Sequence, residues 1–438
     1  MITKPKGTYD LYGKDAKTYK YIESIINELM ALYNYEYIKT PVFESSSLFH
    51  RGVGETTDIV TKETYDFKDR GDRDLTLRPE GTAGIVRSYI ENKMYAENSL
   101  KKIWYMGSMY RYERPQSGRY REFVQFGCEV FGSNDPMIDA EIISIPVSLF
   151  EALGLKGVKV KINSLGDYES REDYKKALIK HLEPYIGDLC EDCQERFKKN
   201  PLRILDCKVD KDHETIKTAP KTIDYLNEES KEYFDKVLEY LDNLNINYDV
   251  DDKVIRGLDY YTHTVFEIEA SVEGFGAQNV MCGGGRYNNL VKDLDGPDTP
   301  AVGFAIGMER LMKALEFENV DTHNGKDLDV FVIPVSENEK AMAFSINQAL
   351  RLVGISSDID YLNKTIKNNF KQAETFNSKF AIIIGEEEVK NKQVTVRNLK
   401  TREEEKVDFK NMLEYMFEKL DMYGECNCGD CDECNEKK

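Results

Sequence analysis

Three arginines and three glutamates of this chain stand where apolar runs end, so their side chains can meet at the edge of a sheet. They are Arg111, Arg256, Arg310, Glu80, Glu113 and Glu129. Arginine presents a rigid fork of N–H donors that matches phosphate, and fixed cations stabilise the charge that develops during phosphoryl or nucleotidyl transfer. For a single arginine, an ion-paired surface role is the simpler interpretation. The set of six favours chemistry at a phosphate.

Other common catalytic patterns do not fit this sequence. The glycine-rich segment GGGRYNNL, residues 283–290, lacks the Gly-Lys-Ser/Thr ending of a P-loop and the order of a Gly-x-Gly-x-x-Gly turn. A Gly-x-Ser-x-Gly elbow is missing, and the five histidines offer no evident Ser/His/Asp triad. Rossmann or P-loop phosphate binding and covalent hydrolysis are therefore disfavoured.

Strands and turns must position the candidate residues. Segments 104–112 and 122–131 are rich in aromatic and β-favouring residues and flank a loop with Pro and Gly, which predicts two antiparallel strands with basic side chains at their open end. LTLRPEGTAGIVRSYI predicts a strand, a turn and a helix that set Glu80 and Thr82 at the lip of a sheet. AVGFAIGMERLMKALEF predicts a strand and then a helix beginning near Gly307.

Composition bounds the class of protein. Of the 438 residues 41% are hydrophobic and 32% charged, as in soluble globular proteins, and no apolar run approaches the roughly 20 residues that span a bilayer. The amino terminus lacks the apolar core of a signal peptide, which favours a cytoplasmic protein without membrane contact. A net charge of −19 argues against a sequence-blind nucleic-acid coat. Basic residues nevertheless outnumber acidic ones in 101–121 and 361–400, which makes both segments candidates for phosphate contacts.

The chain is long enough for about three domains. Its composition changes at 167–250, a charged and largely helical segment that predicts an insertion between two parts of one domain, 1–166 and 251–320. Short buried-strand runs alternating with helical patterns predict a small α/β domain at 327–421. A Cys-rich tail, 424–438, follows.

Seven of the nine cysteines form two clusters with spacings compatible with zinc, since a Cys-x-x-Cys pair can place two thiolates on one tetrahedral ion. The internal cluster holds Cys190, Cys193 and Cys207, with His213 shortly after. The tail cluster holds Cys426, Cys428, Cys431 and Cys434. Reduced structural thiols are the alternative for the internal cluster, and a metal in the short tail would fold a local knot.

Several of these segments resemble a known family. RYE at 111–113, followed by QFGCE at 125–129, is similar to motif 2 of the class II aminoacyl-tRNA synthetases, and AVGFAIGMERL is similar to their motif 3. The helix and strand that lead to Pro41 resemble motif 1. RGLDYYT and GGGRYNNL are similar to signature segments of the histidyl-tRNA synthetases in particular, and LRPEGT and PKGTYD agree with them. The resemblance spans about residues 1–420 and leaves the tail outside.

The resemblance implies an α+β fold, in which an antiparallel sheet flanked by helices carries catalysis, with a helical insertion and a carboxy-terminal α/β anticodon-binding domain. It also implies a homodimer and a two-step reaction. L-histidine and ATP, with Mg²⁺, would give histidyl-adenylate and pyrophosphate. The histidyl group would then pass to the terminal ribose of tRNA-His.

The resemblance also implies residue roles in the first step. Arg111 would hold the α-phosphate, Glu113 the adenine amino group and Arg310 the far phosphates, while Arg256 would stabilise the transition state. Six residues would bind histidine: Glu80, Thr82, Gln125, Glu129, Tyr261 and Tyr287. The tRNA acceptor end would meet Gln116, Arg119 and Arg121, and the basic face of 361–400 would meet the anticodon.

Two alternatives remain open. One is a synthetase-like regulatory subunit that partners the ATP phosphoribosyltransferase of histidine biosynthesis and aminoacylates nothing. Such proteins typically lose catalytic positions and the anticodon domain, whereas this sequence keeps the three arginines and has a carboxy-terminal domain. The other is a nonspecific RNA-binding module, which leaves the ordered carboxylates unexplained.

Overall fold

The computed structural model forms two compact units, residues 1–324 and 325–438. The residues that it describes are those of 1–438 other than 55, 56, 58, 98–99, 116–117, 206, 208, 257, 259, 273–278, 323–327 and 423–438. Among the helices of these described residues, none has the length and apolar character that crossing a bilayer requires. Gln116 and the four tail cysteines lie outside the described residues.

An eight-stranded sheet forms the centre of the first unit. In spatial order its strands are Glu36–Tyr37, Lys101–Tyr110, Glu122–Phe131, Ala301–Gly307, Val280–Arg286, Thr262–Glu269, Lys159–Ser164 and Tyr248–Val250. The two outermost pairs are parallel and all other neighbours are antiparallel. The predicted hairpin is its longest pair, with all ten residues of each strand in register.

Helices cover one face of this sheet. Helix Gly13–Leu32 buries residues spaced by four positions, and helix Pro136–Ala152 begins at Asp135, whose carboxylate accepts a hydrogen bond of 2.9 Å from the Met137 N–H. Helix Glu228–Asn243 packs against Pro136–Ala152 and buries side chains in the same core. The last helix of the segment 167–250 therefore contributes to the core of the sheet, and the strand that follows it extends the sheet edge.

Smaller elements complete the first unit. A three-stranded antiparallel sheet consists of Phe43–Ser45, Asp74–Leu77 and Tyr65–Lys68. The remaining α-helices are Ser46–Val53, Thr82–Glu91, Tyr168–Leu182, Glu191–Lys199, Glu214–Lys217, Leu290–Asp293 and Met308–Phe317. Short 3₁₀ turns lie at Met94–Ala96, Glu183–Asp188, Pro201–Ile204 and Thr222–Tyr225, and a π-helical turn lies at Ile59–Glu63.

The second unit is a five-stranded sheet with helices. Its strands are, in spatial order, Ser357–Ile359, Val330–Pro334, Phe380–Ile384, Gln393–Asn398 and Glu404–Asp408, of which the first three are parallel. Its helices are Glu337–Glu339 (3₁₀), Lys340–Leu352, Ile366–Thr375, Glu386–Asn391 and Met412–Lys419. Val330–Pro334, the middle one of the three parallel strands, is buried along its whole length, as expected of a parallel strand covered on both faces. The predicted α+β class, with a mostly antiparallel sheet and a carboxy-terminal α/β domain, is confirmed.

Candidate active site

A cavity of about 390 Å³ is lined by residues of three neighbouring strands of the large sheet, Glu122–Phe131, Ala301–Gly307 and Val280–Arg286. Eleven residues predicted for ATP, histidine or tRNA line it: Glu80, Thr82, Arg111, Glu113, Arg119, Gln125, Glu129, Arg256, Tyr261, Tyr287 and Arg310. Residues from across 231 positions of the chain thus share one cavity, with acidic and basic groups facing the same space.

Arg121, predicted beside Arg119 as a tRNA contact, is not among the cavity-lining residues described. Its guanidinium lies 3.8 Å from the centre of the Tyr112 ring, and its Nε donates a hydrogen bond of 3.2 Å to the Glu113 carbonyl. These contacts fix the path of the loop that carries Arg119. The cavity itself is reached by Arg119, whose guanidinium lies 3.5 Å from the Glu113 carboxylate.

Two buried carboxylates form the acidic side of the cavity. The oxygens of Glu80 accept hydrogen bonds of 2.7 and 2.8 Å from the N–H groups of Thr82 and Ala83, at the start of helix Thr82–Glu91. The Thr82 hydroxyl donates 2.7 Å to Glu129, and the Tyr287 hydroxyl donates to the other oxygen of Glu129. This network fixes both carboxylates in position before any ligand arrives.

Burial controls the protonation of this pair. Glu129 is 1% exposed, and burial raises its pKa to about 8, although hydrogen bonds from Tyr287 and Thr82 oppose the shift and the charge of Glu80 adds to it. Burial likewise raises the pKa of Glu80 above its ordinary value. A buried carboxylate is stabilised by a cationic or N–H partner. The acidic side is therefore suited to a ligand that carries nitrogen donors.

Arginines form another part of the cavity wall. The Nε of Arg111 donates a 2.8 Å hydrogen bond to the Pro79 carbonyl, and its guanidinium packs on the Phe123 ring. Arg310 donates to the Val280 carbonyl, and burial, together with the charges of Arg119 and Arg256, lowers its pKa from the ordinary arginine value. Positive charges brought together in a cavity create a positive potential, which favours the binding of a polyanion.

Arg256 is held by its backbone and by its neighbours. Its φ of +67° lies in the left-handed region, which few residues other than glycine adopt. The guanidinium donates 2.5 Å to Glu267; although burial opposes the charged form, Tyr261 and Glu267 raise the pKa of Arg256 overall. A side chain at Gly283 would collide with this guanidinium. The glycine therefore makes room for the arginine.

Comparisons with known proteins decide the family. A model of the histidyl-tRNA synthetase family matches residues 7–311, and a model of the anticodon binding domain matches residues 329–419. The chain belongs to the histidyl-tRNA synthetase family. The histidine–tRNA ligase of Acholeplasma laidlawii is 52% identical over 95% of this chain and 99% of that protein. The histidine–tRNA ligase of Anoxybacillus flavithermus is 50% identical over 94% of this chain and 98% of that protein. The structure of the apo histidyl-tRNA synthetase of S. aureus matches with a TM-score of 0.82 and 43% identity, over 95% of this chain and 100% of that one.

Several cavity residues were missed by sequence reasoning. Glu309 accepts hydrogen bonds of 2.6 Å from the Tyr9 hydroxyl and 2.8 Å from the Val124 N–H, and so joins the amino terminus and strand Glu122–Phe131 to helix Met308–Phe317. Arg203 reaches the cavity from the segment 167–250, and Tyr260 lies beside Tyr261. Glu309 could have been found from the sequence, because it stands directly before Arg310 in the predicted strand-and-helix segment. No local sequence pattern distinguishes Arg203 from the other charged residues of its segment.

The three internal cysteines that were candidate metal ligands lie close together, and an aspartate lies beside them. The ligand atoms of Cys190, Cys193, Cys207 and Asp210 all lie within 4.8 Å of one another. His213, which the spacing suggested, instead begins helix Glu214–Lys217, where its Nδ1 accepts a hydrogen bond from the Thr215 N–H. Asp210 was missed because a single aspartate in a charged segment carries no distinguishing pattern.

Gly303 provides a steric test of the acidic side. A Cβ at this position would collide with the Glu129 carboxylate and lie 2.6 Å from the Cys128 carbonyl oxygen. We expect Gly303→Ala to lower the free energy of unfolding by about 1–3 kcal/mol, as overpacking does, in a denaturant titration. Gly307→Ala, where no atom of the described chain beyond the two neighbouring residues lies within 4 Å of the added methyl group, is the control. Equal stability of both variants would contradict this packing.

Proposed function

We propose that the cavity activates L-histidine with ATP and that the chain then transfers the histidyl group to the 3′ end of tRNA-His. The chain is an aminoacyl-tRNA ligase of the histidine type: relatives with this name share about half of its residues over nearly the full length of both chains. The observation that carries the proposal is that one cavity is lined by three of these arginines and by two buried, hydrogen-bonded carboxylates.

The arginine side would bind ATP. The carboxylate of histidine is ionised at neutral pH, so its attack on the α-phosphate needs positioning and relief of charge repulsion rather than a general base. Arg111 would hold the α-phosphate and Arg310 the far phosphates, while Glu113, 3.8 Å from Arg111, would accept the adenine amino group. Arg256 would stabilise the charge of the transition state. ATP would arrive with Mg²⁺, which neutralises part of the triphosphate charge.

The carboxylate side would bind histidine. Each oxygen of Glu80 has a lone pair beyond the one that accepts a backbone N–H, so it can also accept a hydrogen bond from the α-ammonium group of histidine. Thr82 would lie beside the same group. The Gln125 Oε1 is buried without a partner among the described residues, which leaves it available to the same group. Glu129, Tyr261 and Tyr287 would surround the imidazole. The six residues would thus form one pocket for histidine.

Selectivity follows from the chemistry of that pocket. The buried polar groups of such a site pair with both ring nitrogens of histidine and would be left unpaired around any other side chain. The cost of leaving them unpaired can favour histidine over other amino acids by about 10⁴ or more. Tyr287 and Thr82 already hold the Glu129 carboxylate in one orientation. Histidine binding would thus be selective without a second site for editing.

The KM for histidine should depend on pH through Glu129, whose pKa of about 8 means that the carboxyl is protonated in the free site at pH 7. A bound imidazole would share that one proton. Between about pH 6.5, where free imidazole titrates, and about pH 8, binding then neither takes up nor releases a proton. Above this range binding takes up a proton, and below it binding releases one. The KM should be lowest inside the range and rise up to about tenfold per pH unit on either side.

Steady-state exchange kinetics from about pH 5.5 to 9 would measure this profile. Glu129→Gln removes the titrating group while keeping its shape, so its KM should lose the rise that begins near pH 8. A KM that falls continuously up to pH 8 in the wild type would contradict proton sharing, since it would mean that only the ionised Glu129 binds.

Transfer to tRNA would use the edges of the cavity and the second unit. Arg119, at the cavity, and Arg121 and Gln116, in the same loop, would contact the acceptor end. The 325–438 unit would bind the anticodon, whose single-stranded bases can be read by stacking and edge contacts with the basic face of 361–400. We further propose that the enzyme acts as a cytoplasmic class II homodimer, on the strength of its resemblance to that class.

Histidine-dependent exchange of labelled pyrophosphate into ATP tests the first step. We expect exchange with histidine and none with the other amino acids. In Glu129→Gln the KM for histidine should increase about 10- to 100-fold, because a hydrogen bond to a charged group is lost. Asp298→Asn, an exposed carboxylate paired with Lys292 at 3.5 Å, is the matched control and should leave the KM unchanged. Absence of exchange from the folded wild type would favour the regulatory-subunit alternative.

A further inference from the structure

Three thiols and one carboxylate meet outside the active-site cavity, in the helical part of the first unit. Cys190 precedes helix Glu191–Lys199, and Cys193 lies in its first turn. Cys207 and Asp210 come from the segment that follows the turn Pro201–Ile204. The four ligand atoms lie within 4.8 Å of one another, and the cysteines are free thiols rather than a disulfide. The two ends of the segment 190–210, called the loop 190–210 below, therefore lie next to each other.

The spacing fits a tetrahedral zinc ion. Zn–S bonds of about 2.3 Å place two thiolates about 3.8 Å apart on a tetrahedron, and a Zn–O bond of about 2.0 Å places a carboxylate oxygen about 3.5 Å from a thiolate. The Sγ atoms of Cys190 and Cys207 are 3.7 Å apart, and the Cys207 Sγ is 3.6 Å from the Asp210 Oδ2. Both distances agree with ligation of one ion.

Backbone donors orient two of the ligands. The Cys190 N–H donates 3.0 Å to the Asp210 carboxylate, and the Asp210 N–H donates 3.4 Å to the Cys207 sulfur. Such bonds fix the rotamers of metal ligands and disperse the negative charge of thiolates. Cys193 and Cys207 are buried with Leu202 and Ile204 in one apolar cluster, so water has little access to these two sulfurs, whereas Cys190 and Asp210 are half-buried.

We propose that Cys190, Cys193, Cys207 and Asp210 bind one structural Zn²⁺. All four tetrahedral positions are filled by protein ligands, which is typical of a structural rather than a catalytic ion. The ion would close the loop 190–210, whose turn carries Arg203 to the wall of the active-site cavity. Lys62, 3.6 Å from Asp192, connects the start of the same loop to the turn Ile59–Glu63, which also lines the cavity.

Metal analysis of purified full-length variants tests the proposal. Because the tail has four cysteines of its own, the reference variant replaces Cys426, Cys428, Cys431 and Cys434 with serine. This reference should keep about one zinc per chain, and adding Cys207→Ser should remove it. Replacing zinc with Co²⁺ should give the thiolate-to-metal charge-transfer absorption in the reference variant alone. Zinc content that is unchanged by Cys207→Ser, or a reference variant that takes up no zinc even when the ion is supplied, would overturn the proposal.

A second pair of variants keeps the test independent of folding defects. Asp210→Asn removes one ligand charge and should weaken zinc binding in a competition titration with a chelator, whereas Asp192→Asn makes the same change at an exposed residue outside the cluster and should not. Chelation should lower the Tm of the reference variant, because metal binding adds to folding free energy. Identical zinc affinity in the two aspartate variants would exclude Asp210 as a ligand.

Discussion

Replacing Arg256 with alanine should slow histidine-dependent exchange of pyrophosphate into ATP by about 10³-fold in kcat/KM, the effect of removing one preorganised donor from a developing charge. The structure explains why the loss should be this large. The guanidinium is fixed by Glu267 at 2.5 Å, by a left-handed backbone and by the space that Gly283 leaves.

Two further variants separate the charge of Arg256 from its packing. Gly283→Ala keeps the arginine but forces its guanidinium to move, so its exchange rate should also fall, by less than in Arg256→Ala. Arg73→Ala removes an exposed arginine that pairs with Asp69 and should leave exchange unchanged. Activity of Arg256→Ala within a factor of about three of the wild type, with intact folding, would exclude a transition-state role.

Asp139→Ala should lower the free energy of unfolding by about 3–5 kcal/mol, because it leaves a buried arginine without its counter-charge. Asp139 and Arg286 are both 0% exposed, and the Arg286 Nε lies 3.1 Å from the carboxylate. Tyr233 donates 2.7 Å to the same carboxylate, and Arg286 also donates to the Ser133 carbonyl. The pair thus ties strand Val280–Arg286 to a core helix.

Equilibrium denaturation with urea would measure this loss. Asp298→Ala breaks the exposed pair with Lys292 and should cost at most about 1 kcal/mol, the usual value of a surface ion pair. Asp139→Ala lies outside the cavity, so below its melting transition it should retain histidine-dependent exchange. Equal stability losses in the two variants would contradict a buried, fully desolvated pair.

Much of the cavity could be predicted because its residues lie in short local patterns. Glu80 and Thr82 follow a strand and a turn that are visible in LTLRPEGT. Arg111 directly follows the first strand of a hairpin, and Gln125 lies in its second strand. Such patterns depend on backbone preferences and on periodic burial, which a sequence displays directly. The roles of these residues remain predictions that the kinetic tests address.

Other contacts could not be predicted because they join distant segments without a shared pattern. Tyr9 meets Glu309 across 300 positions, and Asp139 meets Arg286 across 147. The amphipathic helix Glu228–Asn243 was predictable as a helix, but nothing in its sequence specifies the helix against which it packs. Packing partners depend on the whole fold. Residues whose importance lies in one long-range contact therefore cannot be identified from local sequence patterns.

Charging of tRNA is the most direct test of the proposed function. Purified chain, ATP with Mg²⁺ and unfractionated tRNA would be incubated with each of the labelled amino acids in turn, and acid-precipitable label would be counted. We predict that label from histidine alone accumulates, up to the amount of tRNA-His present. Folded protein that forms no histidyl-tRNA, or that charges tRNA equally well with another amino acid, would contradict the assignment of this cavity to histidine activation and transfer.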